Sequence, residues 1–145
     1  MKLIRIIDNI FTPKIAYAHC DVPCGIYDVR PALIAAETVV KMVEKIQGFD
    51  NNTATVSDRN TLIRSVWTKE EHARKCKEEL LILWTDFFKS EHLEMFPELH
   101  ETFWKAAKLC SRNKQEVSME AAGELRAAVD EIAEMFAKAK TAAKK

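Results

Sequence analysis

SMEAAGELRAAVDEIAEMF, residues 118–136, sets its apolar side chains at helical intervals, with Ala122, Leu125, Val129, Ile132 and Phe136 three or four positions apart. This spacing puts them on one stripe of an α-helix, and Ser118 stands where a hydroxyl can cap the first turn. Reading back from there, Pro97 opens a third helix whose Leu99, Phe103, Ala106 and Cys110 share the same rhythm. A second, longer helix is expected from a cap at Ser57 or Asp58 to about Phe88, ending in the apolar Leu80, Leu81, Leu83, Trp84, Phe87 and Phe88. Pro31 suits the first turn of the first helix. Leu33, Ala36, Val40 and Val43 form its inner face, and Gly48 with the polar residues 50–53 ends it. The lysine-rich end after Ala139 is expected to fray. The fold class is therefore all-α, an antiparallel four-helix bundle over about residues 30–142.

Charge and cysteine usage narrow the function classes. Lys and Arg together number 22, as do Asp and Glu, so there is no basic excess of the kind a nucleic-acid partner selects. No apolar run approaches the length of a membrane span. The charged runs 69–75 and 77–79 read as a solvated helix face. His92 and His100 read as capping or packing residues, and Cys76 and Cys110 as small buried hydrophobes inside helical patterns. Cys20 and Cys24 differ, because they sit four apart in a short turn segment with no helical pattern around them.

That segment follows a leader. Residues 1–18, MKLIRIIDNIFTPKIAYA, have early positive charges and the small-residue pattern Ala16-Tyr17-Ala18, which has the form of a cleavage site. Asp8, Asn9, Pro13 and Lys14 break the apolar run a secretory signal needs, so the expected compartment is the cytoplasm, with export left open by the leader. Cleavage after Ala18 makes His19 the first residue of the domain 19–145. The free α-amine and the deprotonated amide nitrogen of Cys20 then close a five-membered ring around a metal. The Cys20 thiolate closes a second ring, and the turn through Val22-Pro23 returns the Cys24 thiolate to the fourth corner. The His19 imidazole reaches an axial position. A planar set of two nitrogens and two thiolates suits Ni(II) or Cu(II), whereas Zn(II) prefers a tetrahedral one. Thiolates and an anionic amide also stabilise Ni(III).

His19-Cys20-Asp21-Val22-Pro23-Cys24-Gly25-Ile26-Tyr27-Asp28 resembles the N-terminal hook of the nickel superoxide dismutases. Residues 83–89, LWTDFFK, and 91–100, EHLEMFPELH, are similar to that family's second-to-third helix segment. The resemblance implies an enzyme that converts superoxide to dioxygen and hydrogen peroxide through Ni(II)/Ni(III) cycling. It also implies a nickel ion held by His19, Cys20 and Cys24, a maturation protease and a homohexamer. Asp21 and Tyr27 would shape the approach of substrate, and Pro23 would help turn the hook. Some members hold the axial imidazole with a Glu on the first helix and an Arg on the second. Here Ala35 and His72 stand at those positions, which makes His72 and Glu37 the candidates for that role. Two other readings remain open at this point: a non-catalytic metal-binding or metal-delivery bundle, and an interaction bundle with a Cys20–Cys24 disulfide.

Overall fold

Pro31 lies in the first turn of helix α1 (Arg30–Gln47), where its missing N–H has no partner to lose. Gly48 closes the helix, its N–H donating to the Glu44 carbonyl at 3.0 Å. The computed structural model of the protein describes residues 25–142. After α1 come α2 (Val56–Ile82), a π-helical turn (Leu83–Phe87), a 3-10 turn (Ser90–Leu93), α3 (Leu99–Gln115) and α4 (Met119–Ala142). No strand occurs among the described residues. Each helix packs on its neighbours in sequence and α1 closes against α4, which is the antiparallel bundle expected from short connections.

The core follows the inferred stripes on α3 and α4 residue by residue: Leu99, Phe103, Ala106 and Cys110 are buried, as are Ala122, Leu125, Val129, Ile132 and Phe136. Burying a Leu, Ile or Phe side chain in such a stripe contributes about 1.5–3 kcal/mol relative to exposure. On α1 the inner face is displaced from the expectation. Ala32, Ala35, Ala36, Val39 and Val43 are buried, while Leu33 and Val40 are half-buried at the margin. The narrow centre of the interface takes alanine, and the bulkier side chains cover its edge.

The termini of α2 also differ from the sequence reading. Thr55, rather than Ser57 or Asp58, is the cap; its hydroxyl accepts from the Asp58 N–H at 3.2 Å, and Asp58 accepts in return from the Thr55 N–H at 2.8 Å. The Thr55 hydroxyl, donating to the Asp58 carboxylate at 2.7 Å, and the Thr55 N–H after it hold that carboxyl below its ordinary pKa. At the other end regular helix stops at Ile82, and the chain widens so that the Phe88 N–H donates to Leu83 O at 3.0 Å. A π turn turns later side chains relative to a straight helix. It leaves Phe88 buried and Trp84 and Phe87 half-buried against the core, while Leu81 faces outward.

The charged stretch 69–75 is only partly the solvated face expected of it. Arg74 bridges Glu71 and Glu78 on the surface, but Lys69 is 2% exposed and Ala73 is fully buried. The Lys69 ammonium donates to the carbonyls of Asn113, Lys114 (3.0 Å) and Glu116 (3.1 Å), with the Glu70 carboxylate 3.1 Å away. A helix end has carbonyls without intrahelical partners, and here a buried cation from α2 satisfies those at the end of α3. Asn113 adds a second tie, its amide donating to Leu109 O at 3.0 Å and Ala121 O at 2.8 Å. Ser118 caps α4 as expected, accepting from the Ala121 N–H at 3.2 Å. Lys69→Met keeps the aliphatic stem and removes the donors; unfolding in denaturant is expected to show a loss of about 2–3 kcal/mol, the range for buried bonds to a charged group. A change below about 0.5 kcal/mol, the range of ordinary surface substitutions, would contradict this account.

Candidate metal centre

The described chain begins at Gly25, immediately after the expected nickel ligands. His19, Cys20 and Cys24, together with Asp21 and Pro23, lie outside the described residues, as does the leader, residues 1–18. What the structure describes is the stem on which that segment stands. Gly25 has φ of +70°, a left-handed conformation that a Cβ would strain, and Ile26 is 79% exposed. Among the described residues packing begins at Tyr27, whose ring meets Phe87 edge-on with centroids 5.5 Å apart. The Tyr27 carbonyl accepts a hydrogen bond from the Lys140 ammonium at 2.8 Å. Asp28 then turns the chain into α1. Its carboxylate accepts from the Arg30 N–H at 3.0 Å and from Arg30 Nε at 2.6 Å.

The guanidinium of Arg30 holds the Asp28 carboxyl below the usual carboxylate range. Because folding lowers this pKa, the contribution is fully present above the unfolded value and is lost as pH falls through the lower folded value. The tie at the start of α1 is therefore intact at neutral pH.

Under the stem is an aromatic cluster built by the π turn. Phe87 packs on Phe136 of α4 at 4.5 Å, on Phe88 at 4.9 Å and on the His92 ring at 5.8 Å. Phe88 reaches Phe103 at 5.4 Å, and Trp84 stacks on Phe103 at 5.9 Å. Both histidines have the expected structural roles. His92 Nδ1 accepts from the Lys89 N–H at 2.9 Å, and His100 Nδ1 accepts from the Trp84 indole N–H at 2.9 Å.

No group of three or more His, Cys, Asp or Glu side chains that could hold a metal occurs among the described residues. Cys76 and Cys110 are free thiols buried in the core, as expected. A hydrogen bond with Cys110 and burial together push the Cys76 thiol above its ordinary pKa, as befits a small buried hydrophobe rather than an activated thiolate. The positions tied by resemblance to the axial imidazole make these contacts within the described residues. Ala35 is buried among apolar side chains, His72 Nδ1 lies 2.9 Å from Thr68 O, and Glu37 accepts from Arg126 of α4 at 2.6 Å. The sequence reading missed Lys140. It assigned the end of α4 to a frayed tail, whereas the helix continues to Ala142 and Lys140 is bonded to the stem. The i,i+4 pair of Phe136 and Lys140, a ring and a cation on one face, is the signal that could have found it.

The fold defines an all-helical bundle, and the donor set expected from the sequence is that of a metalloprotein. The chain matches the nickel-containing superoxide dismutases over residues 14–140 and belongs to that family. It is 39% identical over 109 residues to the nickel superoxide dismutase of Streptomyces seoulensis, covering 74% of this chain and 78% of that one. To the enzyme of Streptomyces coelicolor it is 40% identical over 96 residues, covering 66% and 68%. A native nickel superoxide dismutase structure superposes with a TM-score of 0.74 at 32% identity, covering 85% of this chain and 99% of the other. One with nickel ligation of the oxidised state gives 0.74 at 33% over the same shares. The protein is thus a nickel-dependent oxidoreductase that disproportionates superoxide to dioxygen and hydrogen peroxide, and the metal-delivery and disulfide-bundle readings give way. Cys76→Ala and Cys110→Ala are expected to keep full nickel content, measured by elemental analysis, at a stability cost of about 1–2 kcal/mol each.

Proposed function

We propose that a protease removes residues 1–18 and that His19, Cys20 and Cys24 then hold the nickel ion. The chemistry of the donor set supports this: an α-amine, an amide nitrogen and two thiolates form the strong planar field that nickel favours. The bound ion supplies one-electron cycling, so that one superoxide is oxidised to dioxygen and a second, with two protons, is reduced to hydrogen peroxide. The Cys20 and Cys24 thiolates and the Cys20 amide would hold the ion and favour its upper oxidation state, and the His19 imidazole would supply a further nitrogen donor. Pro23 would help turn the segment between the two cysteines. Tyr27 and Asp21 orient and restrict small anions at the open face. The observation that carries this reading is the stem: three residues after Cys24 the chain is held at both the ring and the carbonyl of Tyr27. We also propose a homohexamer, matured and active in the cytoplasm.

A peptide bond from Ala18 to His19 would convert the amine into a weakly donating amide, so protein carrying residues 1–18 should be inactive. Substantial nickel-dependent turnover by uncleaved protein would sink the proposal. In cleaved protein, Cys20→Ser or Cys24→Ser should abolish both turnover and the planar nickel spectrum. His19→Ala should retain Ni(II) yet lose most turnover and the rhombic Ni(III) resonance, while Tyr27→Phe should keep the metal and most activity. Equal loss of nickel in the last two variants would contradict the division of roles.

A further inference from the structure

Lys140 sits in the last turns of α4, where the helix dipole favours a cation, yet its ammonium reaches across the fold to residue 27. It lies 4.8 Å from the centroid of Phe136 and donates to Tyr27 O at 2.8 Å. Phe136 packs on Phe87, and Phe87 packs on the Tyr27 ring. Tyr27 is thereby gripped from two directions, by its ring through the aromatic cluster and by its backbone through Lys140. A ring contact alone leaves the backbone free to pivot about the side chain; the charged hydrogen bond removes that freedom. Upstream toward Cys24, Ile26 is largely solvent-exposed and the space where a Gly25 Cβ would lie is open. Among the described residues before α1, packing onto the bundle therefore begins at Tyr27.

We infer that Lys140 is a positioning residue for the metal segment: by holding the Tyr27 carbonyl, it makes the end of α4 the reference point from which Cys24 is presented. This rests on Cys24 being a nickel ligand. The chemistry asked of Lys140 is a fixed cationic donor rather than contact with substrate. Arginine can supply the same cation and donor, and methionine supplies only the stem.

The test uses nickel-loaded holoenzyme carrying Lys140→Met or Lys140→Arg. Nickel release to a chelator and the Ni(III) paramagnetic resonance are measured, and the metal-free proteins are melted alongside. Lys140→Met is expected to release nickel about fivefold faster, the scale of one net hydrogen bond, and to broaden the resonance. Lys140→Arg should restore both, with the metal-free melting temperatures within about 2 °C of the parent. Unchanged nickel release in Lys140→Met would overturn the inference. So would a metal-free melting temperature lowered in step with the nickel loss, which would make Lys140 a bundle residue only, or an Arg variant as leaky as Met. A Cys24→Ser control that kept its nickel would instead defeat the ligand assignment, and this inference with it.

Discussion

The contact between Phe87 and Phe136, with ring centroids 4.5 Å apart, joins the connection after α2 to the last helix, and the rest of the site is arranged around it. The proposed metal segment leads into the bundle through Tyr27, so its presentation depends on how firmly that residue is held. Tyr27 stands on Phe87, Lys140 extends from the helical turn beyond Phe136, and the two meet at the Tyr27 carbonyl. The π turn is what permits this. A straight continuation of α2 would carry the side chains of residues 84–88 around the axis by a different angle. The irregular turn therefore sets the placement of Phe87, which meets both Tyr27 and Phe136.

The opposite demand is met by the buried polar ties at the far ends of α3 and α4. Lys69 collects carbonyls from residues 113, 114 and 116, and Asn113 crosses to Ala121. A buried ammonium is costly without such partners, and here they are the carbonyls a helix end leaves unsatisfied. The arrangement sets where α3 stops and how closely α4 follows it. It also fixes the register of α2 against both, because an ammonium at the end of a lysine stem tolerates little sliding.

Membership in the nickel superoxide dismutases coexists with local departures. Ala35 and His72 stand where the resemblance would put the Glu and Arg that hold the imidazole in some members. Glu37, the nearest acidic residue in sequence, is paired with Arg126, which ties α1 to α4. The Glu37–Arg126 pair is half-exposed, so its effect is on the relative placement of two helices more than on net stability. Placement is what the stem depends on, since it is held between the start of α1 and the end of α4.

The four helices, the inner stripes of α3 and α4 and the cap at Ser118 were all legible in the sequence. Each depends on residues within a few positions of one another, where helical period decides the outcome. The inner face of α1 was read with Leu33 and Val40 inside, because periodicity finds a stripe but not how wide the neighbouring helices leave the gap. The burial of Lys69, the π turn, the pairing of Glu37 with Arg126 and the grip of Lys140 on Tyr27 were decided by tertiary structure alone. All but the π turn join groups far apart along the chain, and the π turn takes its use from Tyr27 and Phe136 on other elements. A lysine in a charged run carries no local mark of whether water or the end of another helix will meet it.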